Sequence, residues 1–175
     1  MRLIVARHGQ TDWNVQNRVL GRTDIPLNDV GRQQANMLAE SVKKCNIRLV
    51  YVSPLLRAIE TGEIVAEHNK VDLVIKNILI EQNFGIYEGI DRNDSNYQQA
   101  KRMYAKRYPD GESYFDVAAR VYPFIDYIKN NRQDGVMIVT HGGICRIIDS
   151  YFEQLDNEKF ASFKMPNCGY REYEL

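Results

Sequence analysis

The chain has no surplus of charge. Lys plus Arg and Asp plus Glu both number 23, and the formal net charge is +0. Binding along a nucleic-acid backbone wants a net positive face, so nucleic acid is not expected as the main partner, although a local basic pocket stays open. Cysteine is scarce. Cys45, Cys145 and Cys168 form no CxxC pair and no zinc-ligand spacing, which reads as reduced thiols of a cytoplasmic protein. Long apolar runs are missing too. The N-terminal run Leu3 to Ala6 is too short for a signal peptide or a membrane span, no other stretch approaches that length, and no membrane partner is expected. No G-x-G-x-x-G follows an apolar run, which argues against a dinucleotide cofactor. Repeats, low-complexity tracts and Pro/Gly/Ser linkers are absent, so residues 1–175 read as one domain.

What is present is alternation. Short apolar runs at Leu3 to Ala6, Leu49 to Val52, Val71 to Ile75 and Val136 to Val139 read as strands, the central ones buried on both faces. Between them lie amphipathic stretches. Asn28 should cap a helix whose apolar positions are Val30, Met37, Leu38, Val42 and Cys45. Ser53-Pro54 should supply an N-cap and a first-turn proline for a helix burying Leu55, Ala58, Ile59, Val65 and Ala66. Ser113 should start another, with Phe115, Ala118, Ala119, Tyr122, Ile125 and Ile128 inward and a kink at Pro123. Gly142-Gly143 leads into a helix ending near Phe152, and residues 166–175 add an edge strand. Such alternation predicts an α/β, three-layer sandwich: a mostly parallel sheet with helices on both faces.

Only three histidines occur. His68 lies at a polar helix end and reads as structural. His8 and His141 each follow an apolar strand and precede glycine, in LIVARHG and MIVTHGG. In open α/β sheets ligands bind outside the carboxyl ends of the strands, so two strands deliver a histidine to one edge. A third strand end brings Arg57 into the first turn of a helix, where a cation opposes the helix dipole unless an anion lies between them. Arg7 adds a second guanidinium beside His8, and such forks suit phosphate oxygens. A metal is not expected, because two histidines without a third ligand make a poor zinc set and flanking arginines repel a cation.

Hydrolysis also needs a nucleophile and a proton donor for the leaving oxygen. His8, if neutral, can be the nucleophile. Among the acids Glu81 stands out, since it follows Ile78-Leu79-Ile80 and precedes a turn at Asn83-Phe84-Gly85, a semi-buried setting that raises a carboxyl pKa. Glu88 is its rival.

These motifs resemble the signature of the histidine phosphatase superfamily, which includes the cofactor-dependent phosphoglycerate mutases. Arg7-His8-Gly9, Trp13-Asn14, Asn17-Arg18, Gly21, Asp24, Leu27 and Gly31 are similar to its opening motif. Ser53 to Ala58 with Thr61, Glu81 with Phe84-Gly85 and Glu88-Gly89, Gly111-Glu112-Ser113, and Thr140 to Gly143 resemble the others in order. The resemblance implies that His8 is phosphorylated. Arg7, Arg57 and His141 would bind the phosphoryl oxygens, and Glu81 would act as acid and then base. Asn14, Gly21 and Gly142 would be further phosphate contacts, and neither metal nor cofactor would be required. Three positions depart from it: Leu20 replaces a small or amide residue that touches phosphate, Tyr87 a common tryptophan and Gly62 a common alanine.

Mutases of this family carry an insertion after the third motif and a C-terminal tail over the phosphohistidine. The short stretch between Gly89 and Gly111, and the end of the chain soon after Cys168, therefore favour hydrolysis of a small phosphorylated metabolite. A phosphoglycerate mutase, a protein or phosphohistidine phosphatase and a non-catalytic phosphate binder are the alternatives. Residues 88–112 are expected to cap the site. Arg92, Lys101, Arg102, Lys106 and Arg107 within them could meet a second acidic group, but a solvated face is the expected reading.

Overall fold

The apolar runs assemble into one five-stranded sheet. The structure, a computed structural model, describes residues 1–175. The strands are β1 (Arg2–Arg7), β2 (Leu49–Val52), β3 (Asp72–Ile75), β4 (Val136–Thr140) and β5 (Tyr170–Glu174), in the order β3-β2-β4-β1-β5. β1, β4, β2 and β3 run parallel, and β5 pairs antiparallel with β1. β4 sits between two parallel neighbours and all its residues are buried, which is why it reads as an unbroken apolar run. β3 is an edge, and its Val74 and Ile75 are exposed.

The helices are α1 (Asp12–Val15), α2 (Asp29–Val42), α3 (Leu56–Asn69), α4 (Ser95–Ala100), α5 (Tyr114–Asn130), α6 (Gly142–Phe152) and α7 (Asn157–Ser162). On one sheet face Leu38, Ala39 and Val42 of α2 and Ala58 and Val65 of α3 pack on Ile4, Val50, Val52 and Val139. On the other, Val117, Val121 and Ile125 of α5 and Ile144 and Ile148 of α6 pack on Leu3, Val5 and Ile138. Each Leu, Val or Ile among them contributes roughly 1.5–3 kcal/mol by leaving water. The result is the expected three-layer α/β sandwich.

Helix phases differ from the sequence expectation in three places. In α2, capped by Asn28 Oδ1 on the Gly31 N–H at 2.9 Å, Val30 and Met37 are exposed, and Gly31, Ala35, Leu38, Ala39 and Val42 form the inner face. Small residues there let α2 lie close to α3, so apolarity alone misjudged the stripe. In α5, Ser113 is the cap, but Phe115 and Ala119 point outward and Tyr114, Val117, Val121 and Phe124 inward. The helix continues through Pro123 to Asn130; the carbonyl that an N–H at position 123 would meet belongs to Ala119, on the same exposed side. Ser53-Pro54 does not start α3. Leu55 is the N-cap residue, and Asp24 Oδ1 accepts the Leu56 N–H from a distant loop at 2.9 Å. Gly62 lies against Val52, and an added methyl would overlap that side chain.

Candidate active site

Parallel pairing carries three strand ends to one edge. The His8 N–H donates to Thr140 O at 2.9 Å and the Ser53 N–H to Val139 O at 3.1 Å. His8, Ser53 and His141 therefore leave the sheet side by side. The His8 and His141 ring centroids lie 5.1 Å apart, and both residues are buried.

His8 Nδ1 lies 2.7 Å from Gly9 O. A carbonyl can only accept, so Nδ1 carries the proton and Nε2 keeps its lone pair in the neutral ring. Burial, then the charges of Arg57 and Arg7, hold the His8 pKa well below the ordinary imidazole value of 6.5. His8 is thus a neutral base at neutral pH, the state a nucleophile needs. His141 is likewise held low, chiefly by burial and by Arg57. Its Nε2 lies 2.6 Å from Ser53 Oγ, and its Nδ1 is buried without a partner. Ser53 Oγ thus engages His141 and also accepts the Leu55 N–H at 3.4 Å, two residues ahead of the α3 N-cap.

Arg57 is fully buried. Its Nη1 donates to Thr23 O at 3.0 Å and its Nη2 to Gly21 O at 2.5 Å, while Nε has no partner. Burial brings its pKa down to about 10. A buried guanidinium is costly unless its donors are met, and here backbone carbonyls meet two. Glu88 organises them: its carboxylate accepts the Gly21 N–H at 3.1 Å, the Arg22 N–H at 2.9 Å and the Thr23 hydroxyl at 3.1 Å. Gly21, expected as a phosphate contact, instead spends its N–H on Glu88 and its carbonyl on Arg57 and lies off the cavity wall.

Above this floor is a cavity of about 650 Å³, lined among others by Arg7, His8, Asn14, Glu81 and Gly142. Arg57 and His141 lie beneath it, outside its lining. Arg7 Nη1 donates to Met165 O at 2.9 Å, and its Nε is unpartnered. The Asn14 amide oxygen accepts from the Thr11 N–H and from Asn167 Nδ2, each at 3.1 Å, so its NH₂ group is what remains to donate. Leu20 is buried in the cavity wall as an apolar surface.

Glu81 accepts the Gln82 N–H at 2.8 Å and, at the start of α6, the Gly143 N–H at 3.1 Å. These bonds and the Arg57 and Arg120 charges favour the carboxylate, but burial outweighs them and the pKa is raised. A side chain at position 143 would put its Cβ 2.5 Å from Glu81 Oε1, so only glycine admits this approach. Three residues that sequence reasoning left without a role hold the Glu81 segment. Arg120 donates to the carbonyls of Ile78 and Ile80, Arg22 Nε to Glu81 O, and Glu112 accepts from Arg22 and from the Asn83 N–H. Glu112 was visible as a motif residue; Arg120 carries no sequence signal.

Residues 88–112 rest on the 17–20 loop through Gly89 N–H to Val19 O and Val19 N–H to Ile90 O, both 2.8 Å. Phe84, Tyr97 and Tyr108, with Tyr87, form a small aromatic cluster there. Arg92 and Lys101 reach the cavity; Arg102 is exposed, Lys106 is outside the cavity, and Arg107 pairs with Asp116 at 2.7 Å. The three cysteines are unpaired, and no helix is long and apolar enough to cross a membrane.

A family model described as the histidine phosphatase superfamily (branch 1) matches residues 3–175. A 2,3-bisphosphoglycerate-dependent phosphoglycerate mutase of Bartonella bacilliformis is 30% identical over 174 residues, covering 91% of this chain and 84% of the mutase. The solved mycobacterial glucosyl-3-phosphoglycerate phosphatase, in complex with VO3, is similar with a TM-score of 0.88 at 28% identity, over 98% of this chain and 90% of that one. Phosphoserine phosphatase of Entamoeba histolytica, in complex with 3-phosphoglyceric acid, has a TM-score of 0.82 at 27% identity, over 98% and 89%.

Proposed function

The chain belongs to the histidine phosphatase superfamily, and we propose that it is a phosphomonoesterase hydrolysing a small phosphorylated metabolite through a phosphohistidine at His8. The observation that carries this reading is the neutral, buried His8 with Nδ1 fixed on Gly9 O, on the same cavity as a carboxyl group whose pKa burial raises. The Nε2 lone pair attacks phosphorus as the ester P–O bond breaks, and Glu81 gives its proton to the departing oxygen. Glu81 then takes a proton from water, whose oxygen attacks phosphorus as the P–N bond breaks, releasing inorganic phosphate. Arg7 and Arg57, each with an unpartnered Nε, are donors suited to the charge on the transferring group, and so is His141 Nδ1 in the tautomer in which Nε2 accepts the Ser53 hydroxyl. With two guanidiniums and the His141 ring in place, the proposed reaction calls for no metal. The single domain spans 1–175, with residues 88–112 as its cap.

Mutases share the phosphohistidine and differ in what accepts the phosphoryl group. The short segment at residues 88–112 and the phosphatase neighbours support water as the acceptor. The test is a quench during turnover of labelled 3-phosphoglycerate in EDTA. An acid-labile, base-stable label should appear on the protein, none on His8→Ala, and inorganic phosphate should outrun the isomer. Label on His8→Ala, or turnover that needs added metal, would overturn the mechanism; isomerisation in excess would make the chain a mutase.

A further inference from the structure

The walls of the cavity are unbalanced in charge. Five cations, Arg7, Arg92, Lys101, Arg146 and Lys164, line it against one carboxylate, Glu81. Arg7 belongs with His8. The other four come from separate parts of the chain: Arg92 and Lys101 from residues 88–112, Arg146 from α6 and Lys164 from the loop before β5. None of the four has an acidic partner, whereas Arg22, Arg32, Arg107, Arg120 and Arg171 each do. A solvated face would not converge from three segments on one concavity, and in a molecule of zero net charge the concentration is local.

Two of these cations are held in place. Arg146 donates to Tyr114 Oη at 3.0 Å and to Phe163 O at 3.1 Å, with its guanidinium over the Tyr114 and Phe160 rings, and its Nε is buried and unpartnered. Arg92 Nε is tied to Arg18 O at 2.9 Å. Lys101 is half-buried; its backbone N–H closes α4 on Tyr97 O at 2.8 Å, while its ammonium has no partner within the chain. Burial, then the charges of Arg146, Arg92 and Lys164, bring its pKa down to about 8, and the four side chains line one cavity. A cleft lined by one sign of charge concentrates ions of the other.

The geometry points to a second anion subsite built from Arg92, Lys101, Arg146 and Lys164, so that the preferred substrate is a phosphomonoester bearing a second negatively charged group, a carboxylate or another phosphate. This rests on the phosphatase reading in placing the ester phosphate at His8. It reverses the expectation of a merely solvated face for Arg92 and Lys101, keeps that expectation for Arg102 and Lys106, and adds Arg146 and Lys164.

The test uses pairs that differ mainly in the second group: 3-phosphoglycerate against glycerol 3-phosphate, and fructose 1,6-bisphosphate against fructose 6-phosphate. Calorimetric binding to His8→Ala reads the subsite without turnover, and kcat/KM of the unmodified chain reads it during catalysis. At least one member bearing the second anionic group should exceed its partner lacking that group by about tenfold or more, the size expected for hydrogen bonds to a charged group. The pair that responds tells carboxylate from phosphate. Lys101→Met and Arg92→Gln should each bring that ratio down to about threefold or less, and Lys106→Met should leave it unchanged. A ratio near one in both pairs, or a ratio that survives both substitutions, overturns the subsite. Selective binding to His8→Ala without turnover by the unmodified chain would instead retain the subsite and overturn the phosphatase reading.

Discussion

The floor and the roof of the cavity are both basic, yet they are built differently. On the floor, Arg57 and His141 are fully buried and locked by backbone carbonyls and Ser53, Arg57 in the first turn of α3 beyond β2 and His141 directly after β4. In the roof, the Lys101 and Lys164 ammoniums lack fixed partners and stand at the C-terminal end of α4 and on a loop. Desolvated, pre-oriented charges suit a transition state, because they need not reorganise as the reaction proceeds. Looser, wetter charges suit selection among substrates, where binding matters more than exact placement. On the reading proposed above, the molecule separates reaction from recognition by the depth at which it places its basic side chains.

The sharpest way to break that division is at Glu81. Its value should depend on how much the leaving oxygen needs a proton. Glu81→Ala should lose about 10²–10⁴-fold in kcat/KM with a sugar phosphate and far less with p-nitrophenyl phosphate. The comparison must use kcat/KM, which reports the steps up to the phosphoenzyme. Equal losses would make Glu81 structural.

The pH profile tests the floor next. His8 attacks only when neutral, and its pKa is held well below 6.5. Corrected for the substrate's own ionisation, kcat/KM should fall as pH drops through that value, with a midpoint below 6.5. Glu81 must hold a proton for an alkyl leaving group, and its pKa is raised above 4.5, so activity should also fall as pH rises through it. Glu81→Gln should remove the alkaline limb alone. An alkaline limb that persists there would assign it to another group.

The smallest effect concerns how the floor is held. If Glu88 acts by orienting the Gly21 and Thr23 carbonyls toward Arg57, Glu88→Ala should cost about tenfold in kcat/KM. That loss should vanish in an Arg57→Ala background, since residues acting in one chain of contacts are not additive. Independent, multiplying losses would break the link.

Glu81 and Glu88 also mark where sequence reading runs out. Both sit in the same motif, and each could have been the acid. The apolar run before Glu81 favoured it, but only the fold puts Glu81 on the cavity and turns Glu88 onto three donors of the 21–23 loop. Gly21 was misjudged for the same reason: a motif position tells that a residue is needed, not which neighbour its N–H will meet. The roof cations show the converse. Lys164 and Arg146 lie outside every motif and join Arg92 and Lys101 only through tertiary packing.

The sequence by itself determined the α/β layering, because strand and helix periods follow directly from where apolar residues recur. It also determined the meeting of His8, Arg57 and His141, because parallel strands must end at one edge. The tertiary structure alone decided helix phase, the protonation and burial of the site, and which cations face the cavity. Those depend on neighbours distant in sequence, such as Asp24 at the start of α3, Ser53 on His141 and Arg120 behind Glu81. Burial in the folded chain lowers the His8 pKa and raises that of Glu81; the apolar run before Glu81 foreshadowed the second shift, and no local pattern foreshadowed the first.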